Sequence, residues 1–529
     1  MVKYRAMATL PTFHNEPFLD FTNDGIRRAQ SAAIDELARR GPRDVPVVIA
    51  GERQTTAATF SSRNPSDPGH VLAMVARAGE AEVRRAVDAA DRAFDRWRWV
   101  PARERAGLLL RAAAAVRKRR YELNALACLE AGKTWPEADL ELAEAVDFLE
   151  LYAREAMRIA APQPLTPLAG EMNELRYIPL GVGAVIPPWN FPIAIMAGMT
   201  MAAVAAGNTV VLKPSSDTPL IAWTFFEILE QCGLPPGVVN FVPGPGGVVG
   251  EGLCAHPRTR FIAFTGSRDV GVRLNTVAAA VAPGQIWLKR VVAEMGGKDF
   301  IIVDEAADLD DAAAAVAGSA FGYQGQKCSA CSRAIVHHKV YDAFVAKLIP
   351  RVEVLTVGPP RDPKVAMGPV INEAAMKSIG QYVAAGKQDG LALLSGGGRA
   401  PAADATGGYF LQPTVFGNVP ENHRIACEEI FGPVLAVIRA RDFDHEIAIA
   451  NATEYGLTGS IFTLDREKIA RARRTLHCGN LYVNRKCTGA MVGVHPFGGF
   501  NMSGTDSKAG GTDYLGLFSQ AKVVSEKLG

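Results

Sequence analysis

Between Leu180 and Leu212 the chain carries no charged residue. A stretch of that length either spans a membrane or forms the centre of a folded domain, and its own residues decide between the two. It reads LGVGAVIPPWNFPIAIMAGMTMAAVAAGNTVVL, with Pro187, Pro188 and Pro192 near its middle and Gly207-Asn208 in its second half. Proline removes a backbone donor and clashes with the preceding turn, so no single helix runs through this stretch. It parses instead as a buried strand, a Pro-Pro turn, a buried helix and a second buried strand. No membrane is expected as a partner.

The same alternation continues around it. The runs RYIPLGVGAVIP, TVVLKP, VNFVPG and FIAFTG are β-rich, and each ends in Pro, Gly or Ser ahead of helical sequence. This is the βαβ rhythm of a parallel sheet covered on both faces. A second series starts near Gly296 with FIIVDE, the helical DLDDAAAAVAGSAF and RAIVHHKV, and predicts a second α/β domain. Ahead of both, AEVRRAVDAADRAFDRW places Val83, Ala86, Val87, Ala90, Phe94 and Trp97 on one helical face. A further helix is predicted from Pro101, a good first helical residue, to Gly132, a good C-terminal cap. Residues 1–50 read as an N-terminal extension with a helical pattern near 23–40.

The chain's 529 residues, 48% hydrophobic and 21% charged, suffice for two or three domains with sizeable cores. Acidic and basic residues are interleaved to a net charge of +2, so nucleic acid is not an expected partner. The N-terminal segment lacks the apolar run of a signal peptide and carries Glu16, Asp20 and Asp24. Cysteines at 128, 232, 254, 328, 331, 427, 478 and 487 form no disulfide framework. A reducing, cytoplasmic setting is expected.

In a doubly wound sheet, ligands bind at the carboxyl ends of the strands, and three such ends here are polar. Lys213 closes TVVLKP, ready for a ribose or phosphate. Thr265-Gly266-Ser267 closes FIAFTGS at the mouth of a helix, a setting that favours phosphate. VPGPGGVVGEG supplies Gly244, Gly246 and Gly250, with a spacing one residue longer than the dinucleotide fingerprint and no acidic ribose ligand ~20 residues on. The glycines alone are weak evidence; the three strand ends together predict a dinucleotide site.

Glu294 follows an apolar run and precedes Gly296-Gly297. A lone glutamate is usually solvated, but this context suits a partly buried carboxyl with a raised pKa, fit for general-base work. In GYQGQKCSACSR, Cys328 and Cys331 stand three positions apart. Zinc would need a second Cys pair or paired histidines at suitable spacing. His337 and His338, adjacent in an apparent strand, would point to opposite faces, so no metal is expected. A redox pair would follow a strand near the start of a small domain. That leaves Cys328 as a nucleophile, or both cysteines as packing.

PWN at 188–190, FTGS at 264–267, EMGGK at 294–298, GQKCSACSR at 325–333, EEIFGPV at 428–434 and PFGG at 496–499 resemble aldehyde dehydrogenase landmarks, in order and separation, from about residue 50 onward. The stretch GNLYVNRKCTGAMVGVHPFGGFNMSGTDSKAGG, residues 479–511, resembles the branch of that superfamily acting on 1-pyrroline-5-carboxylate, whose open form is L-glutamate γ-semialdehyde. The resemblance implies a Rossmann-like cofactor domain (51–164 and 179–295), an α/β catalytic domain (296–505) and a small β oligomerisation flap (165–178 and 506–529). The N-terminal extension would pack on the cofactor domain. A homodimer at least is implied, and hexamers occur in this branch.

It also implies a mechanism. Cys328 attacks the aldehyde to form a thiohemiacetal, Asn190 and the Cys328 N–H hold the oxyanion, and hydride loss to NAD leaves a thioester that Glu294 helps water to hydrolyse. Because members that pass the acyl group to coenzyme A commonly lack this base, Glu294 favours a carboxylate product. For NAD the implied contacts are Ile186, Pro188, Trp189, Lys213, Ser215, Ser216, Gly246, Gly250, Phe264, Thr265, Gly266, Ser267, Gly296, Glu429 and Phe431. NAD-preferring relatives often carry Glu at the position of Ser216, so its absence leaves room for NADP. For the substrate, Ser329, Gly489 and Ala490 would hold the α-carboxylate while Phe191 and Phe497 flank the methylenes. Isolated phenylalanines are otherwise plain core packing. The competing readings are another semialdehyde such as succinate or methylmalonate semialdehyde, a non-catalytic protein that keeps the fold, and a thiol oxidoreductase that uses Cys331.

Overall fold

The computed structural model of the chain describes residues 10–528; the start of the expected N-terminal extension lies outside the described residues. The uncharged stretch folds as parsed, into strand Val182–Ile186, helix Ala194–Ala205 and strand Thr209–Leu212. Both strands are wholly buried, which explains their continuous apolar sequence. Among the described residues no helix is long and apolar enough to cross a membrane.

The first sheet has the strand order Arg290–Glu294, Thr259–Thr265, Val182–Ile186, Thr209–Leu212, Val239–Phe241, Val47–Ile49 and Glu52–Gln54. Its strands from residue 182 onward pair in parallel, and Val47–Ile49 and Glu52–Gln54 add an antiparallel edge. The chain runs outward from Val182–Ile186 to Val239–Phe241, then returns to lay Thr259–Thr265 on the other side. A topological switch therefore lies between Val182–Ile186 and Thr259–Thr265, where a ligand crevice is expected.

The second sheet has the order Ala392–Ser395, Thr414–Gly417, Val434–Ala440, Cys331–His337, Asp299–Val303, Thr458–Phe462 and Asn480–Val483, parallel throughout except at the Ala392–Ser395 edge. Strand Arg290–Glu294 of the first sheet leads through Met295–Lys298 directly into Asp299–Val303 of the second. This short link sets the carboxyl end of one sheet against the amino end of the other. Segments that enter Asp299–Val303, Cys331–His337 and Val434–Ala440 thus face the switch point.

Two expectations need correction. The helix predicted from Pro101 to Gly132 breaks at Arg119 into Ala102–Lys118 and Arg120–Glu130, and Pro101 precedes the first turn. The second piece turns to pack on helix Asp24–Arg39, where Gln30 Nε2 donates to the Tyr121 carbonyl at 3.3 Å. Phe94, placed on the apolar face, is only half-buried, and what covers its ring is the Arg98 guanidinium. A separate antiparallel ribbon, Glu171–Pro179 with Ser519–Lys527, stands largely exposed.

Candidate active site

The loop before strand Cys331–His337 is built on an unusual turn. Tyr323, Gln324 and Gly325 are all left-handed, with φ of 49°, 56° and 66°. Each non-glycine residue in that conformation costs on the order of 1–3 kcal/mol and persists only where its surroundings hold it. Here they do. Tyr323 donates its hydroxyl to the Ala131 carbonyl (2.9 Å), and Gln324 Nε2 donates to the carbonyls of Gly132 (3.0 Å) and Pro369 (2.8 Å). The Ile371 N–H donates to Gln326 Oε1 at 2.9 Å. Three residues beyond the turn stands Cys328, partly exposed and unpaired. Burial above all, then the carboxyls of Asp299, Glu294 and Glu429, push its thiol well above the ordinary range.

Asn190, buried behind the Pro-Pro turn, donates from Nδ2 to the Gln326 carbonyl at 3.0 Å. The backbone N–H of Cys328 takes part in no hydrogen bond among the described residues. The bond to Gln326 leaves Asn190 Nδ2 a second hydrogen.

Glu294 ends its strand as expected, and burial raises its carboxyl to about 7, against the opposing pull of hydrogen bonds from Ser507 and Gly499 and the charge of Lys508. The Ser507 hydroxyl donates to Oε1, whereas buried Oε2 has no protein partner. Glycine is required around both groups. A Cβ on Gly297 would stand 2.3 Å from the Cys328 carbonyl oxygen, and one on Gly498 would stand 3.1 Å from Glu294 Oε1.

Two cavities meet here, and Cys328 lines both. The larger, about 540 Å³, opens at the switch point. Its walls include Ile186, Pro188, Trp189, Lys213, Ser215, Gly246, Gly250, Phe264, Thr265, Gly266, Ser267, Gly296, Glu429 and Phe431, together with Asn190. Ser216 is the exception: it is exposed and does not line the cavity. The wider glycine spacing is taken up by a π-helical turn, Gly246–Gly250, where the Glu251 N–H reaches back to the Gly246 carbonyl. Ser267 occupies the N-cap of helix Arg268–Ala279 without capping it, so its hydroxyl and the first-turn N–H groups stay available to an anion.

At the opposite end, Trp189 and Phe431 meet edge-to-face with centroids 5.5 Å apart, and Phe431 holds a φ of 55°. Glu429 Oε1 accepts the Gly297 N–H at 3.0 Å, and burial raises its carboxyl to about 7. A Cβ on Gly296 would strike Glu429 Oε2 at 2.2 Å. Phosphate-grade donors at one end and an aromatic-walled pocket at the other fit a dinucleotide.

The smaller cavity, about 140 Å³, contains Glu294, Phe191, Ser329, Gly489, Ala490 and Phe497, all named from sequence. Thr488, which the sequence pairs with Gly489 as a tight loop, lies there too, together with residues that sequence reasoning missed: Glu137, Glu144, Lys327, Lys486 and His495. Lys327 Nζ bonds the Glu137 carboxylate at 2.6 Å, and burial raises Glu144 to about 8. One signal was available, since Lys327 flanks a residue already singled out. Cys331 faces the core, with its thiol toward the Arg333 carbonyl at 3.5 Å. No group of His, Cys, Asp and Glu able to hold a metal ion is found among the described residues. His337 and His338 do not oppose each other as predicted: the strand ends at His337, and their rings lie 4.6 Å apart.

The aldehyde dehydrogenase family model matches residues 52–524. The chain belongs to that family. Several of the relatives it matches carry one name. A 1-pyrroline-5-carboxylate dehydrogenase of Geobacillus thermodenitrificans is 52% identical over 514 residues, 97% of this chain and 99% of the relative. The like-named protein of Bacillus mycoides is 51% identical over 516 residues, 98% of this chain and 99% of the relative. The structure of 1-pyrroline-5-carboxylate dehydrogenase from Thermus with bound NAD superposes with a TM-score of 0.95 at 48% identity, covering 98% of this chain and all of that one. The family's α/β fold accounts for the two opposed sheets and the cleft between them.

Proposed function

We propose that this protein oxidises L-glutamate γ-semialdehyde, the open form of 1-pyrroline-5-carboxylate, to L-glutamate with NAD as the oxidant. The observation that carries the reading is the position of Cys328 at the junction of a dinucleotide-sized cleft and a smaller cavity. The similarity to enzymes named for this substrate, and to one with NAD bound, supports the choice of substrate and cofactor.

Each step has a residue suited to it. Glu294, with a carboxyl near 7, takes the proton from the Cys328 thiol, whose own pKa is too high for it to ionise unaided. The thiolate adds to the aldehyde carbon, and the new oxyanion is received by Asn190 Nδ2 and the Cys328 N–H. Lys213, Ser267, Glu429 and the Trp189–Phe431 walls would hold NAD in the cleft, where it would supply the acceptor for the hydride lost by the thiohemiacetal carbon. Once Glu294 has passed the thiol proton to solvent, it removes a proton from the water that attacks the thioester; the C–S bond breaks, the Cys328 thiolate leaves, and the carboxylic acid is released.

The smaller cavity suits a zwitterionic substrate. N–H groups at Gly489-Ala490 and the Ser329 hydroxyl offer donors to an α-carboxylate, Glu137 and Glu144 offer acceptors to an α-ammonium, and Phe191 and Phe497 supply the apolar sleeve. The exposed Met172, Tyr177, Val523 and Val524 of the ribbon belong against a second copy of the chain, in the cytoplasm. A Cys328→Ala variant is expected to lose all turnover while still binding NAD. Unchanged turnover, or a strong preference of the wild type for succinate semialdehyde over the amino-acid aldehyde, would overturn the assignment.

A further inference from the structure

Lys133 is fully buried, an uncommon state for a lysine. It follows Gly132, whose φ of 66° turns the chain from helix Arg120–Glu130 toward helix Trp135–Ala160. The ammonium lies 4.0 Å from the ring centre of Phe191 and 4.1 Å from that of Tyr323, whose rings stand edge-to-face 6.5 Å apart. Its charge is balanced by Glu141, with Nζ 3.0 Å from Oε2 and both side chains shut off from solvent. The other Glu141 oxygen accepts the N–H groups of Ile193 at 2.7 Å and Ala194 at 3.3 Å, at the start of the helix that follows Asn190 and Phe191.

The pair therefore grips both halves of the site. Through Phe191 and the helix start it holds the segment that carries Asn190. Through Tyr323 it holds the left-handed turn ahead of Cys328, alongside the hydroxyl bond from Tyr323 to Ala131. An ammonium between two aromatic faces in a dry site is attracted to both rings, and an isolated hydrophobic residue of the same length is not. A buried ion pair is poor value for stability alone, since well-packed apolar residues often serve as well.

We infer that Lys133 is a positioning residue, which acts through Phe191 and Tyr323 to set the Cys328 loop against the Asn190 donor. The inference rests on the assignment of Cys328 as nucleophile. Two kinds of measurement on the full-length oligomer keep the two apart: alkylation of Cys328 by iodoacetamide in the free enzyme, and steady-state kinetics with the semialdehyde and NAD. In Lys133→Met both the alkylation rate and kcat should fall about 30-fold, the order expected from losing a desolvated cation–π clamp. The Kd for NAD, read by quenching of protein fluorescence, should stay within about twofold, because Phe191, Tyr323 and Glu141, the partners of Lys133, do not line the cleft.

Alkylation and kcat both within about threefold of wild type in a folded Lys133→Met variant would overturn the inference. If that variant does not fold, Tyr323→Leu, measured against a Tyr323→Phe reference that already lacks the hydroxyl bond to Ala131, removes one of the two rings and keeps the ion pair. It should slow alkylation about fivefold, and an unchanged rate would equally overturn the proposal. A Cys328→Ser enzyme that still turns over would instead refute the underlying assignment.

Discussion

Asn190 Nδ2 stands 3.0 Å from the carbonyl oxygen of Gln326, and this bond joins the Pro-Pro turn of the first sheet to the loop that carries Cys328. The contact uses one amide hydrogen for orientation, and in the proposed mechanism the second receives the reacting oxygen. Removing such a donor typically costs about 3 kcal/mol, or more than 100-fold in rate. We predict that Asn190→Ala lowers kcat by about that factor with little change in the Kd for NAD. Asn190→Asp should be no better, because a carboxylate repels an oxyanion. A kcat for Asn190→Ala within about fivefold of wild type would remove Asn190 from the oxyanion site.

Glu294 links function to stability through its proton. Burial lifts its carboxyl from 4.5 to about 7, so the rate should rise with pH as the carboxyl ionises through that value. The folded chain binds this proton more tightly than the unfolded one does. The stability so supplied is present below pH 4.5 and is lost as pH climbs through 7, at a cost on the order of 2–3 kcal/mol above it. Glu294→Gln should therefore abolish the limb near pH 7, leave an acyl-enzyme that hydrolyses slowly, and melt higher than wild type at pH 8. Equal melting temperatures at pH 8 would show that the carboxyl is not strained by burial.

Much of this site was legible because its residues stand where strands end. Lys213, Ser267 and Glu294 each stand at or just past the carboxyl end of an apolar strand, and a parallel sheet puts such positions at a ligand. The cluster Glu137, Glu144, Lys327 and Lys486 was not legible. Glu137 and Glu144 belong to helix Trp135–Ala160, where a charge ordinarily marks the solvent face. Only the packing of that helix behind Phe191 turns them inward. The left-handed turn at Tyr323–Gly325 was equally hidden, since nothing in the pair Tyr-Gln favours a positive φ. Its anchors at Ala131, Gly132 and Pro369 lie far away in sequence.

Gly325 completes that turn, with a φ of 66° and a Cβ position only 2.3 Å from the Gly432 carbonyl oxygen. Both partners are backbone, so neither can swing away. Gly325→Ala should destabilise the protein by more than the roughly 1–2 kcal/mol of a left-handed alanine. Activity should suffer further, because Gly432 adjoins Phe431 in the cleft and Cys328 is three residues on. Gly380 provides the control: it lies within helix Glu373–Gln388 with open space at its Cβ position. Gly380→Ala should be neutral or stabilising by up to about 1 kcal/mol. Thermal melts alongside kcat separate the two positions, and a Gly325→Ala enzyme that matches Gly380→Ala in both would contradict the packing argument.

Cofactor choice should depend on pH through Lys213. This side chain is buried at the cleft, donates to the Pro214 carbonyl at 2.8 Å, and is lowered to about 8 by burial. Ser215 lies beside it in the cleft wall, and Ser216 follows, exposed and outside that wall, with no carboxylate in its place. Below pH 8 the ammonium can face the 2′-phosphate of NADP; above it the charge is lost, and with it most of the attraction. The KM for NADP should therefore rise severalfold between pH 7 and 9, while that for NAD, which has only a ribose hydroxyl at this position, changes much less. Ser216→Glu tests the same site from the other direction. A new carboxylate near the 2′-phosphate costs on the order of 1 kcal/mol at a wet rim, so the KM for NADP should rise about fivefold or more and that for NAD should hold or fall. Parallel shifts for the two cofactors, in either experiment, would place Lys213 and Ser216 away from the adenosine ribose.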